Sequence, residues 1–202
     1  MITTADMRDL SNPNEYLTDN VIGSLLHLYR IKDRVPGVVV LDPQFLSRLE
    51  KFGVGYQDDA KYLAVTTELE ADGTPWDLII MPFNIFEHHW VCVVLRKRQL
   101  KWTILDSLYG TGTATNTYTR VKKLLDNLLY KWWGNLEDPR WTYQVSTCSR
   151  QTDGSNCALH VVENIRHFQK YEEPDLNPID GRALRQSYLT AIRVHGQLLP
   201  TR

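Results

Sequence analysis

Three apolar runs follow one another at short intervals in the middle of the chain: "WDLIIMPF" (76–83), "HWVCVVL" (89–95) and "KWTILDS" (101–107). Each is short, rich in β-branched and aromatic residues, and bounded by polar residues, so each reads as a strand. The middle ones lack the polar alternation of a half-exposed strand. Both of their faces must therefore be covered, and the rest of the chain has to supply the cover.

The flanking segments carry helical spacing. From Asp19, "DNVIGSLLHLYRI" places Val21, Ile22, Leu25, Leu26 and Tyr29 on one face, with Thr18 or Asp19 as N-cap. "LDPQFLSRLEKFG" offers Asp42 as cap, Pro43 at the first helical position and Gly53 just past the end. Beyond the strands, "YTRVKKLLDNLLYKWWG" (118–134) turns Val121, Leu124, Leu125, Leu128, Leu129 and Trp132 inward and stops at Gly134. "WTYQVS" (141–146) is a further strand. Leu159, Val161, Val162, Ile165 and Phe168 form another helical stripe, and "GRALRQSYLTAIRVH" (181–195) closes with a helix. Helices, then strands, then helices again predict an α+β fold and not alternating βαβ units. With no repeat or low-complexity linker, the expected division is a flexible lead-in at 1–14 and a single domain over 15–202.

Charge and cysteine usage exclude several functions. A net charge of −1 gives no electrostatic case for nucleic acid or an anionic membrane as partner. The longest apolar runs are too short to span a bilayer, and the polar N-terminus lacks the apolar core of a signal peptide. The cysteines are Cys92, Cys148 and Cys157. Their odd number and the lack of a CxxC or Cys/His spacing predict neither a disulfide framework nor a metal site, and a reducing compartment fits best.

Cys157 stands at a seam in "RQTDGSNCALHVVENI" (150–165), where a turn-prone run meets a helical one. Ser155 and Asn156 are good N-cap residues, which puts Cys157 in the first helical turn. There the unpaired N–H groups and the helix dipole favour a thiolate. Two readings stay open: an activated nucleophile, or a small buried cysteine at a helix start. Cys92 lies in an apolar strand and Cys148 in a loop, so neither has this environment.

A thiolate nucleophile needs a base, and the base an orienter. If 89–95 and 101–107 form a hairpin turning at Lys97-Arg98, His89 lies directly opposite Asp106 on the same face. A slip of one residue would substitute His88, so the hairpin alone leaves the choice open. His160 shares the helix of Cys157 but faces another side. Gln151, six residues before Cys157, could add its amide to the Cys157 N–H as an oxyanion site.

Taken together, "HHW", "LDSLYG" and "QTDGSNCA", in that order, with the early "YLTDNVIGSLLHL", resemble the ubiquitin-like-protein-specific cysteine proteases, the SUMO/sentrin protease family. The family shows His-Trp opening a strand, Asp-Ser ending the next, Gln-x-x-Gly-x-Asp-Cys-Gly at the nucleophile, and Trp-Leu-x-Asp before an apolar helix. The resemblance implies a papain-like α+β domain: a central mixed or antiparallel sheet flanked by helices, with the catalytic cysteine at a helix N-terminus. It implies Cys157 as nucleophile, His89 as general base and acid, Asp106 as orienter and Gln151 as oxyanion donor. His89 is chosen over His88 because Trp90 follows it. Trp90, Tyr16 and Asp19 match residues around the substrate tail.

The implied activity is a thiol peptidase that cuts the peptide or isopeptide bond after the terminal Gly-Gly of a modifier of SUMO or ubiquitin type. It needs no cofactor or metal. The expected partners are that modifier and its conjugates, the expected state is a monomer, and the expected setting is the nucleus or cytoplasm, or a host cell if the protein is a microbial effector. Two rivals are an acetyltransferase of the same superfamily and an inactive modifier-binding module. Three positions depart from the pattern: Tyr16 for Trp, Asn156 for Asp before the cysteine, and Ala158 for Gly.

Overall fold

The computed structural model describes residues 2–32, 35–52, 77–108, 114–133, 141–144, 146–171, 173–174 and 176–195. The helices are α1 Thr4–Ser11, α2 Asp19–Lys32, α3 Phe45–Phe52, α4 Ala114–Trp133, α5 Cys157–Tyr171 and α6 Gly181–His195. The apolar runs form β2 Leu78–Ile85, β3 His89–Arg96 and β4 Lys101–Leu105, with β1 Val38–Val40 and β5 Thr142–Tyr143 at the edges. The sheet order is β1-β2-β3-β4-β5. β2, β3 and β4 pair antiparallel, while β1 runs parallel to β2 and β5 parallel to β4.

The sheet divides two cores, as its two apolar faces require. Trp90, Cys92, Val94, Ile80 and Leu105 face α2, α5 and α6, packing with Val21, Leu25, Leu159, Ile165 and Tyr188. Ile79, Met81, Phe83, Val91, Val93 and Ile104 face α3 and α4, packing with Leu46, Leu49, Val121 and Leu125. Each fully buried aliphatic side chain contributes roughly 1.5–3 kcal/mol. The central strands are thus held from both sides, a rigid base for residues at their ends.

Two expectations need correction, and one strand goes unpredicted. Residues within the anticipated lead-in at 1–14 form helix α1. Thr3 and Asp6 make a capping box, and Leu10 is buried in the first core. With so few apolar residues there, periodicity gives little sign of this helix. The sequence does not predict strand β1, because three valines beside a proline and a glycine are too short a run to read. The β3–β4 hairpin is displaced by two residues: Cys92 pairs with Leu105 and Arg96 with Lys101. The turn is four residues long, closed by Leu100 N–H donating to the Lys97 carbonyl at 3.1 Å, with Leu100 at φ 49°. Gly53 and Gly134, expected as helix stops, lie outside the described residues.

Candidate active site

Cys157 opens α5 and is 1% exposed. The helix starts on Asn156, whose carbonyl accepts from the Leu159 N–H at 3.0 Å and the His160 N–H at 3.3 Å. The Asn156 side chain does not cap. Its Nδ2 donates to Asp153 Oδ2 at 2.8 Å, and its Oδ1 accepts from Arg185 Nε at 2.9 Å. Asp153 Oδ1 accepts from the N–H groups of Ser155 and Asn156, both at 2.9 Å. Ser155, the other expected cap, donates its hydroxyl to the Pro13 carbonyl at 2.8 Å. The side chains beside the helix start are therefore turned away from its first amides, which leaves the dipole end to the site.

His89 begins β3 and is 7% exposed, and the equally buried Asp106 follows β4. His89 Nε2 lies 2.9 Å from Asp106 Oδ1, which also accepts from the Leu108 N–H at 2.8 Å. Because β3 and β4 are offset by two residues, the pair is diagonal and not directly opposite. The offset keeps both residues on one face, within reach across the sheet. With Nε2 held by Asp106, Nδ1 is the nitrogen left for the hydrogen bond between His89 and Cys157. Burial would lower the His89 pKa, but the hydrogen bonds and negative charges of Asp106 and Cys157 outweigh it and raise the pKa to about 9. His88 is exposed in the preceding turn, beside the Phe86 ring.

Gln151 is held at three points. Its N–H donates to the Ser107 carbonyl at 3.2 Å, its Oε1 accepts from the Ser107 hydroxyl at 2.6 Å, and its Nε2 donates to the Asp153 carbonyl at 2.7 Å. The Asp153 carbonyl, which can only accept, fixes Nε2 as the donor end of the amide, and the Ser107 hydroxyl then donates to Oε1. A primary amide has two N–H donors, so Nε2 has a second one to offer a substrate.

The other cysteines have different surroundings. Burial raises the thiol pKa of Cys92, and that of Cys148 to about 11. Trp90 is buried and donates its indole N–H to the Leu17 carbonyl at 3.0 Å. It lines a cavity of about 430 Å³ with Asp19, Gln44, Arg48 and Asn84, and Asp19 accepts a hydrogen bond from Gln44 there. Tyr16, 49% exposed, borders a separate cavity of about 510 Å³ with Asn14, Asp153 and Asn156. The structure thus brings Cys157, His89 and Asp106 together and puts Gln151 on the same loop as the cysteine. Trp90 and Asp19 share one cavity, and Tyr16 lies on the other.

Sequence reasoning missed Ser107, Asp153 and Arg185 as parts of this site. Arg185 left a signal: it occupies the stripe completed by Tyr188, Leu189 and Ile192, where an arginine is out of place unless it is paired. Ser107 and Asp153 lie in loops, where no period distinguishes a partner from a solvated residue. Among the described residues, no cluster of three or more His, Cys, Asp or Glu side chains could hold a metal ion, and no helix is long and apolar enough to cross a membrane.

Residues 15–196 match the model of the Ulp1 protease family, C-terminal catalytic domain. An Arabidopsis thaliana protein, provisionally named ubiquitin-like-specific protease 1B, is 26% identical over 170 residues, covering 78% of this chain and 48% of its own length. The chain therefore spans about half the length of this curated relative. Two solved structures share the fold. One is the C-terminal Ulp1 protease domain in complex with Smt3, the yeast ortholog of SUMO (TM-score 0.71, 18% identity, 98% of this chain and 84% of that one). The other is the Xanthomonas campestris effector XopD bound to ubiquitin (TM-score 0.59, 19% identity, 87% and 90%).

Proposed function

This chain belongs to the Ulp1 protease family, and on that footing we propose that it is a thiol peptidase cutting after the C-terminal Gly-Gly of a ubiquitin-like modifier. The observation that carries the proposal is the buried contact of Cys157, His89 and Asp106. It is assembled from a helix start, a strand start and a strand end. A cysteine, an imidazole and a carboxylate in that order supply a nucleophile, a proton carrier and its orienter.

In this reading the thiolate of Cys157 attacks the glycine carbonyl, and the oxyanion is met by the Cys157 N–H and Gln151 Nε2. Protonated His89 gives its proton to the leaving amine as the C–N bond breaks, leaving a thioester. His89, now neutral, takes a proton from water, whose oxygen attacks the thioester and releases the modifier and the thiolate. The complexes with Smt3 and ubiquitin formed by proteins of this fold support a modifier of SUMO or ubiquitin type as substrate. We place the reaction in the nucleus or cytoplasm, or in a host cell if the protein is an effector, as XopD is named.

A panel of SUMO and ubiquitin probes ending in propargylamide tests the activity. A covalent adduct with one probe is the expected result. Retention of a modifier without an adduct would overturn the peptidase reading and leave a binding module.

The tail makes a second expectation. In this reading the substrate tail threads a narrow passage beside Trp90, and glycine suits such a passage because it carries no side chain. Replacing the modifier's last glycine by a bulky residue should block cleavage while leaving docking intact. Equal cleavage rates for the two tails would show a wider site.

Gln151 makes a third expectation. An oxyanion donor acts on charge that appears only in the transition state, so Gln151→Ala should lower kcat by roughly 10²–10³-fold with KM nearly unchanged. Gln151→Glu should be at least as damaging, because it sets an acceptor against the Asp153 carbonyl and the oxyanion. Iodoacetamide should still alkylate Cys157 in Gln151→Ala. A rise in KM alone, at full kcat, would assign Gln151 to substrate binding.

A further inference from the structure

Asn156 sits between two side chains of opposite charge. Its Nδ2 donates to Asp153 Oδ2, and its Oδ1 accepts from Arg185 Nε. The direction of this amide is set by chemistry, since a guanidinium only donates and an ionised carboxylate only accepts. Burial would raise the Asp153 pKa, but hydrogen bonds from Ser155 and Asn156 hold it below the ordinary carboxylate value, so Asp153 is charged. Arg185 is 2% exposed, and its other contacts go to backbone carbonyls: Asp9 at 3.0 Å, Asn12 at 2.8 Å, Glu15 at 2.7 Å and Ser155 at 3.4 Å. The Asn156 amide therefore links the acid to the cation. Gly181, the first residue of α6, presses on the same amide: a Cβ there would lie 2.3 Å from Nδ2 and 2.9 Å from Cγ.

We propose that Asp153, Asn156 and Arg185 form a positioning relay that sets the start of the Cys157 helix, and that acid and amide can exchange places between positions 153 and 156 with the relay intact. The proposal rests on the reading of Cys157 as nucleophile. The peptide joining Asn156 to Cys157 carries the Cys157 N–H, so a shift of Asn156 moves both sulfur and N–H relative to His89. Gln151 is tied in as well, because its Nε2 donates to the Asp153 carbonyl.

The exchange follows from donor and acceptor counting. An amide at 153 can still accept from the two backbone N–H groups through its oxygen, and its –NH₂ can donate to a carboxylate at 156. That carboxylate can in turn accept from Arg185. Each single change breaks the chain. Asp153→Asn faces one –NH₂ with another, and flipping Asn156 to relieve this turns its –NH₂ onto Arg185. Asn156→Asp places two carboxylates within hydrogen-bond distance of each other.

The test compares Asp153→Asn, Asn156→Asp, the double exchange and Gly181→Ala. Three quantities are measured: kcat and KM on the modifier substrate that labels best, the iodoacetamide alkylation rate of Cys157, and Tm. Each single change should lower kcat about tenfold or more at unchanged KM, the scale of a lost buried hydrogen bond to a charge. The double exchange should return kcat to within about threefold of the starting protein, where independent effects would multiply. Gly181→Ala, which displaces the Asn156 side chain from outside the loop, should behave as a single change. A double variant as impaired as the product of the singles would overturn the relay, and so would singles that lower Tm while the folded enzyme keeps its kcat. If no modifier is cut by the unaltered protein, the peptidase reading fails. The exchange is then decided by alkylation rate and Tm, with restoration supporting the relay and a multiplied loss overturning it.

Discussion

Cys157→Ala is expected to abolish covalent capture of a SUMO or ubiquitin propargylamide probe and to lower turnover by about six orders of magnitude, the scale on which a nucleophile's removal is felt. Cys148→Ala is expected to leave both close to their starting values. The contrast rests on surroundings, since all three cysteines are buried. Cys157 has a helix start behind it and the His89 imidazole beside it. Cys148 is held as a neutral thiol, its pKa raised by burial to about 11. Mass spectrometry of the probe adduct in each variant checks the assignment, and labelling that persists in Cys157→Ala would remove it.

His89→Ala is expected to cost several orders of magnitude in turnover. Asp106→Asn should cost as much or less, up to about 10⁴-fold, because it misorients the base without removing it. His88→Ala should be mild, given its exposure in the turn. The raised pKa adds a pH signature. Leaving-group protonation needs the imidazolium, so activity should hold on the alkaline side and fall as pH rises through about 9. Stability follows the same direction. A folded pKa above the ordinary 6.5 means that the contribution of the His89–Asp106 contact is complete below about pH 6.5 and is lost as pH passes about 9. Asp106→Asn should remove most of that pH dependence. An unchanged alkaline limb in Asp106→Asn would assign the titration to another group.

The His89–Asp106 pair shows why part of the site was legible. The sequence predicts the hairpin turn at Lys97-Arg98, whereas the turn takes four residues and shifts the pairing by two. Side chains alternate across a strand with a period of two, so that error left both residues on the same face. An error of one would have sent one of them to the opposite core. The longer turn is hidden in the sequence because Leu100 takes a left-handed φ that a glycine or asparagine would signal and a leucine does not. The long helices and central strands were legible because their burial is periodic. Helix α1 and strand β1 were not, because each rests on a few contacts with distant segments. Arg185 shows the same limit: its stripe position hinted at pairing, but its partners lie about 30 to 170 residues away and no local pattern names them.

The reach of Arg185 bears on how small a working unit can be cut from this protein. The family match begins at residue 15, which invites trimming at that point. Yet the guanidinium on the last helix donates to the carbonyls of Asp9 and Asn12, both upstream of the cut. A unit begun at residue 15 would strand donors beside the loop that leads into Cys157, and water entering to satisfy them would loosen that loop from its far side. The eight residues of α1 thus brace the start of the Cys157 helix, encoded some 150 positions later.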